Sequence, residues 1–317
     1  MPAPLPPAAD GREASVRTFE VQGTLQRCWD FAPLATAADA ADAGPGGPGA
    51  GQASAPVFMV HGFRGDHHGL LRIAEALPHR RVLIPDLPGF GSSEALPGRH
   101  DVAAYADFAA AALDALGLGP ETVLLGHSFG SIIASALTAR DPRRISALIL
   151  VNPICEPALE GPRGVASKAA ELYYRAGAAL PESAGLALLR NRAVVRGSSI
   201  MMAKTRDRRL RRWIHGQHDA YFSAFTSRRV VLEAFQASIS STVRDVAPQL
   251  ELPVLLIAAE RDDLGSVPGQ RKLAAAMPDA ELHVLPGVGH LVHYERPAEA
   301  AGLIEAFLAR RGPGAAA

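Results

Sequence analysis

The sequence predicts an α/β fold, a mostly parallel central sheet with flanking helices and an inserted helical cap. Three observations carry this. Short, β-rich apolar runs alternate with stretches of helical length, the rhythm of right-handed βαβ units. The runs are apolar at nearly every position, as strands buried on both faces must be. The rhythm stops after Pro153 and resumes only at Val254, with helical patterning between, so one sheet is interrupted by an insertion.

Each element follows from its local pattern. Residues 1–15 are rich in Pro and Ala and are expected to be a flexible terminus. VRTFEVQ and TLQRCWDF read as two strands joined at Gly23. Residues 35–55 contain GPGGPGAG and almost no large apolar side chain, so a mobile surface loop is expected. Strands are expected at VFMV (57–60), RVLI (81–84), TVLL (122–125) and ALILV (147–151). The helices between them are HHGLLRIAEAL, VAAYADFAAAALDALG and FGSIIASALTAR, the last stopped by Asp141-Pro142. After the insertion come strand VLLIAAE (254–260), helix GQRKLAAAM, strand ELHVL and a last helix over 297–311. The core is therefore expected to comprise 16–153 and 246–311, the cap 154–245, and the flexible tail 312–317.

Composition narrows the function. The 317 residues carry 32 Lys+Arg against 32 Asp+Glu, and a net charge of zero lacks the electrostatic footprint of a general nucleic-acid binder. Cys28 and Cys155 are too few for a disulfide framework or a thiolate metal cage. No secretory signal and no apolar run long enough for a membrane span is visible, so a cytoplasmic protein is expected. Of the 32 basic residues 29 are Arg, a skew that reads as compositional bias and inflates every basic cluster in the chain.

Chemistry concentrates at the ends of the expected strands. Gly126-His127-Ser128-Phe129-Gly130 fits G-x-S-x-G, a pattern that chance alone would produce about 0.16 times in this composition. Its context decides the reading, because a strand precedes it and a helix follows. Small residues at 126 and 130 permit a sharp turn that lifts the Ser128 hydroxyl clear of the sheet, and the following helix aims its N–H groups at developing negative charge. A serine nucleophile needs a base and an orienting carboxylate. His290, in the Gly-rich loop after ELHVL, is the expected base. The acid is expected at the end of the preceding strand, with Asp262 first, Asp263 as its competitor and Glu260 behind both. Two N–H donors for an oxyanion are expected at Phe129 and at Phe63 in His61-Gly62-Phe63-Arg64-Gly65. Asp86 to Ser92 reads as a supporting turn. His293 reads as a packing or solvent-facing residue. His67 and His68 read as a helix start, without a carboxylate or Cys at ligand spacing to make a metal site.

Together these residues resemble the α/β-hydrolase family. His61-Gly62-Phe63, Asp86 to Ser92, Gly126 to Gly130, Glu260-Arg-Asp and Gly289-His290 occur in the family's order over about 57–153 and 254–311. The resemblance implies Ser128 as nucleophile, Asp262 as acid, His290 as base and Phe63 and Phe129 as oxyanion donors, with no metal and no organic cofactor. The family commonly has Pro about four residues past the acid; here Pro268 lies six beyond Asp262 and five beyond Asp263, so the choice of acid stays open. The insertion is implied to cap the site, with Tyr173, Met201 and Trp213 as candidate substrate contacts, alongside Tyr174, Met202, Tyr221 and Phe222. The run Lys204, Arg206, Arg208, Arg209, Arg211 and Arg212 reads as a solvated helix face, with attraction to anionic lipid, nucleic acid or a substrate carboxylate as the alternative. The implied activity is serine hydrolysis of a carboxylic ester or related small acyl compound. Carbon–carbon hydrolysis, lactone opening and cofactor-free perhydrolysis share the fold. A ligand-binding sensor with a slow triad is the alternative of another class. Epoxide hydrolases and dehalogenases on this fold resemble the chain less, because they place Asp where Ser128 stands.

Overall fold

The computed structural model describes residues 12–35, 54–157 and 164–311. The expected flexible loop therefore lies almost wholly outside the described residues, at 36–53, as do the tail 312–317 and most of the flexible start, 1–11.

Eight strands form one sheet: β1 (Ala14–Val21), β2 (Thr24–Phe31), β3 (Val57–Val60), β4 (Val82–Pro85), β5 (Val123–His127), β6 (Ala147–Val151), β7 (Val254–Ala259) and β8 (Ala280–Leu285). Their spatial order is β1-β2-β4-β3-β5-β6-β7-β8. The β1–β2 hairpin turns at Gln22-Gly23, both with positive φ (51° and 76°), which suits a two-residue hairpin turn. It pairs antiparallel with β4, and every later pairing is parallel. The first strand starts earlier than the sequence suggests. Ala14 pairs with Phe31, and Arg12 donates to the carbonyls of Ala32, Arg80 and Ala74, which anchors residues assigned above to a flexible terminus.

Alternation along the strands sends side chains to opposite faces. Phe58, Val60, Leu124, Leu148 and Leu256 join one buried cluster with α2 (Val102–Ala115), α3 (Phe129–Arg140) and α9 (Val267–Ala275). Val57, Met59, Leu125, Ile149 and Ile257 join the other with α1 (Leu71–Glu75) and α11 (Pro297–Arg311). Each fully buried Leu or Phe stabilises the fold by about 1.5–3 kcal/mol, so these three layers set the rigid frame. Between β6 and β7 lie α4 (Gly164–Ala179), α5 (Glu182–Leu189), α6 (Arg192–Met202), α7 (Arg208–Tyr221) and α8 (Arg228–Ser240), helices as the sequence pattern requires. A short α10 (Val292–Glu295) follows β8. No helix among the described residues is long and apolar enough to cross a membrane.

Candidate active site

Parallel strands β3, β5, β6, β7 and β8 all end on one edge of the sheet, and the candidate residues sit in the turns just beyond them. Ser128 joins β5 to α3 with φ 54° and ψ −120°, a conformation that costs a non-glycine residue about 1–3 kcal/mol and is held by its surroundings. Those surroundings explain both glycines of the motif. A Cβ on Gly126 would lie 2.4 Å from the carbonyl oxygen of Gly130, and one on Gly130 would lie 2.1 Å from that of Val60. The Ser128 N–H donates to the Val151 carbonyl (3.1 Å), which fastens the turn to β6.

The structure brings Ser128, His290 and Asp262 together. The Ser128 hydroxyl lies 2.8 Å from His290 Nε2. On the far side of the ring, Nδ1 lies 2.9 and 3.1 Å from the two oxygens of Asp262, so Nδ1 carries the proton and Nε2 is free to accept one. All three residues are buried. Burial by itself would raise the Asp262 carboxyl, but the His290 ring, the Leu264 N–H and the Asn152 amide outweigh it and hold the group below the usual carboxylate range. Asp263 points elsewhere, to an ion pair with Lys204 across the mouth of the site. Glu260 accepts from the Gly287 N–H (2.7 Å), and Arg261 N–H donates to the Val288 carbonyl (2.9 Å). These two bonds clamp the turn bearing Asp262 to the turn bearing His290.

The loop after β3 packs on the serine. A Cβ on Gly62 would stand 3.2 Å from Ser128 Cβ, so the backbone leading to Phe63 passes directly over that residue. His61 holds the loop in shape: its Nδ1 donates to the Gly62 carbonyl (2.9 Å) and its Nε2 accepts from Leu87 N–H (2.9 Å). Burial lowers the His61 pKa, in keeping with a neutral ring that donates at one nitrogen and accepts at the other. Phe129 is the first residue of α3, so position alone leaves its N–H without a partner in the helix. Asp86 plays the supporting part expected of its turn, accepting from the N–H groups of His67 (2.8 Å) and Ser92 (2.7 Å).

Two residues that sequence reasoning missed complete the arrangement. Asn152, at the end of β6 with φ 46°, donates its side-chain amide to Asp262 Oδ2 at 2.9 Å. Arg64, buried and with φ 60°, extends its guanidinium into the insertion. It donates to the carbonyls of Phe222 (2.8 Å) and Leu189 (2.9 Å) and to the Tyr174 hydroxyl (3.2 Å). One side chain thus ties three segments of the insertion to the residue after Phe63. Neither has a local signal, since an Asn after a strand and an Arg in a Gly-rich turn are both commonplace.

The insertion and the strand ends enclose a cavity of about 1010 Å³ that reaches Ser128 and His290. Phe63, Tyr174, Met202 and Phe235 give it apolar walls. Of the three candidate contacts, Met201 lines this cavity and the other two do not. Tyr173 turns its hydroxyl to the Leu188 carbonyl (2.8 Å), and Trp213 packs edge-on against Tyr294 under Arg72. His293 is buried against His127, with ring centroids 4.0 Å apart, and also lines the cavity. Burial holds the His293 pKa well below its usual value and lowers that of His127 to about 3.

One other cluster has ligand-type atoms. Asp66, His67 and His68 place three such atoms within 4.8 Å of one another, so a carboxylate does stand beside the histidines, contrary to the sequence expectation. Asp66 caps the 3₁₀ turn His67–Gly69, accepting from His68 N–H, while His67 Nδ1 engages Asp86 (2.9 Å) and its ring stacks on Trp29. The expected helix start is thus a 3₁₀ turn.

Comparison with known proteins agrees with this architecture. The sequence model of the alpha/beta hydrolase fold matches residues 55–297. The chain belongs to that family. Among curated alpha/beta hydrolase relatives, it is 30% identical over 245 residues to a pimeloyl-[acyl-carrier protein] methyl ester esterase from Chromobacterium violaceum, covering 74% of this chain and 86% of that protein. It is 28% identical over 232 residues to a 2-hydroxymuconate semialdehyde hydrolase from Pseudomonas putida, covering 73% and 77%. Some matches are partial: the stretch shared with Lipase 3 of a Moraxella strain spans 31% of that protein, at 36% identity. The structure of a thermophilic esterase from Thermogutta terrifontis superposes with a TM-score of 0.70 at 21% identity, over 95% of this chain and 99% of the other. The relatives thus share the fold while differing in the substrates their names declare.

Proposed function

We propose that this alpha/beta hydrolase is a serine hydrolase that cleaves carboxylic esters or related small acyl compounds through an acyl-enzyme. The observation that carries the reading is the continuous chain from Ser128 Oγ to His290 (2.8 Å) to Asp262 (2.9 Å), opening on an apolar cavity of about 1010 Å³. In the first half-reaction Ser128 Oγ attacks the acyl carbon as its proton passes to His290 Nε2. The carbonyl oxygen becomes an oxyanion facing the N–H groups of Phe63 and Phe129, and the positive end of α3 adds to its stabilisation. The tetrahedral adduct then collapses, and the leaving group departs with the proton from His290. In the second half-reaction His290 takes a proton from water, the hydroxide adds to the acyl carbon, and Ser128 is released with its proton restored. Asp262 remains ionised throughout and steadies the imidazolium. Arg64 keeps the insertion seated over the cavity as a cap.

The ester names among the relatives support this choice of bond, and the apolar walls suit an acyl chain better than a charged one. The test is a panel of short-chain aryl esters together with labelling by a fluorophosphonate, each run on wild type and Ser128→Ala. Turnover and labelling are expected in wild type, with both lost in the variant. Labelling without turnover of any ester would overturn the ester reading, and labelling that persists in the variant would overturn Ser128 as nucleophile.

A further inference from the structure

Helices α6 and α7 form a hairpin whose inner side is well tied. Ser199 sits between His215 and His218 at 2.6 and 2.7 Å, and Arg196 pairs with Asp219. Its outer side has the opposite character. Val194, Ile200 and Met201 are 39%, 60% and 53% exposed, and Val194 and Met201, seven residues apart, fall on one stripe of α6. Met201 also lines the cavity, and Leu264, 41% exposed, lines it too, so apolar surface runs from the outside of α6 to the mouth.

Beside this apolar tip lies a dense positive charge. Arg206, Arg208, Arg209, Arg211 and Arg212 are all exposed, and none forms an ion pair with a carboxylate among the described residues. Four of them open α7, where the helix dipole is positive and acidic residues are the favourable choice; the single carboxylate there is the N-cap Asp207, which accepts from the N–H groups of Arg209 (2.7 Å) and Leu210 (3.2 Å), and the first turn itself contains no acid. Asp207 caps the helix but leaves three of the four positive charges at its N-terminus unbalanced, an excess that an anionic surface lying against it would neutralise. Arg-rich composition accounts for the choice of Arg over Lys, but not for placing four cations at the wrong end of a helix next to exposed Ile and Met.

We infer that the tip of the α6–α7 hairpin docks on an anionic lipid surface, with Ile200 and Met201 entering the acyl boundary and the arginines meeting lipid phosphates. Docking there would set the cavity mouth on the surface, so that an amphipathic ester could pass from lipid to Ser128. The docking itself is independent of the hydrolase reading; only the nature of what enters the cavity rests on it. Nucleic acid would satisfy the arginines but leave Ile200, Val194 and Met201 against water, and the net charge of zero gives it no wider attraction.

The full chain is co-sedimented with phosphatidylcholine vesicles, with and without phosphatidylglycerol. Each basic residue near an anionic surface is worth roughly fivefold in binding, so Arg208→Gln/Arg209→Gln/Arg212→Gln should weaken association by about 100-fold. Ile200→Ser should weaken it by about tenfold. Neither variant should alter turnover of a water-soluble aryl ester, and that turnover reports that both are folded. Ser128→Ala should bind vesicles as wild type does, which separates failure of docking from failure of the hydrolase reading. Any one of three results would overturn the inference: no preference for phosphatidylglycerol, vesicle binding unchanged by the arginine substitutions, or duplex DNA bound more tightly than vesicles at the same salt. A stable homodimer that Ile200→Ser dissociates would overturn it as well, by assigning the apolar tip to a second copy.

Discussion

Removing the Asn152 amide tests how far the acid–base pair depends on a residue outside it. Asp262 holds four contacts: Leu264 N–H on Oδ1 (2.8 Å), Asn152 Nδ2 on Oδ2 (2.9 Å), and His290 Nδ1 on both. A hydrogen bond to a charged group is worth about 1.5–3 kcal/mol, and the Asp262 side chain is only 1% exposed, so water cannot readily replace the lost donor. In the proposed mechanism Asp262 is ionised both before and during reaction, so only the part of this energy that grows with imidazolium formation slows turnover. A loss of about 1.4 kcal/mol, or tenfold in kcat/KM, is expected for Asn152→Gly. Glycine is the informative replacement because it keeps the left-handed φ of 46° without strain. Asn152→Ala should show a similar kinetic loss plus about 1–2 kcal/mol of destabilisation from the backbone. Since the amide helps to hold the Asp262 pKa down, its removal should also raise that pKa. The assay is kcat/KM on a soluble aryl ester across pH, with denaturation measured in parallel. If Asn152→Gly stays within twofold of wild type at every pH, the amide is dispensable and the reasoning fails.

Three further outcomes follow from the same geometry. Asp262→Asn should lower kcat by about 10³–10⁴-fold while Asp263→Asn stays within about threefold, because the partner of Asp263 is Lys204; equal losses would return the acid to an open choice. Gly130→Ala would press a Cβ to 2.1 Å from the rigid Val60 carbonyl, so it should unfold or destabilise the chain by several kcal/mol, about 3 or more, whereas Gly98→Ala, with nothing within 4 Å, should be near neutral in chemical denaturation. Burial lowers the pKa of both His127 and His218 to about 3, against a usual value of 6.5. The unfolded chain therefore binds more protons than the folded one between those limits, and the stability these neutral rings provide is full above pH 6.5 and is lost as pH falls toward 3. His218→Gln should reduce the slope of stability against pH there by one proton, about 1.4 kcal/mol per pH unit, and an unchanged slope would show that His218 is not buried neutral.

Much of this was decided locally. Strands buried on both faces must be apolar throughout, and a serine raised on a strand-to-helix turn needs small neighbours, so the layers and the Gly126–Gly130 turn are readable from the sequence alone. Ser128 and His290, which the structure brings within 2.8 Å of each other, stood out as candidates because glycines mark their turns. The strand ends were right within a residue or two, and the miss at Ala14 came from Arg12, whose anchoring carbonyls lie as far away as Arg80.

What only the tertiary structure decided has a common cause: the direction of a side chain at the end of a strand is set by partners far along the chain. Asp262 and Asp263 are adjacent and chemically identical, yet one meets His290 and the other meets Lys204. Asn152 acquires its part only because β6 and β7 run side by side, bringing it to a residue 110 positions away. Arg64 does so because the insertion folds back over the β3 loop. The same folding turned Met201 toward the cavity and Tyr173 and Trp213 away from it. Periodicity reports which face of an element is buried; it holds no record of which distant side chain that face will meet.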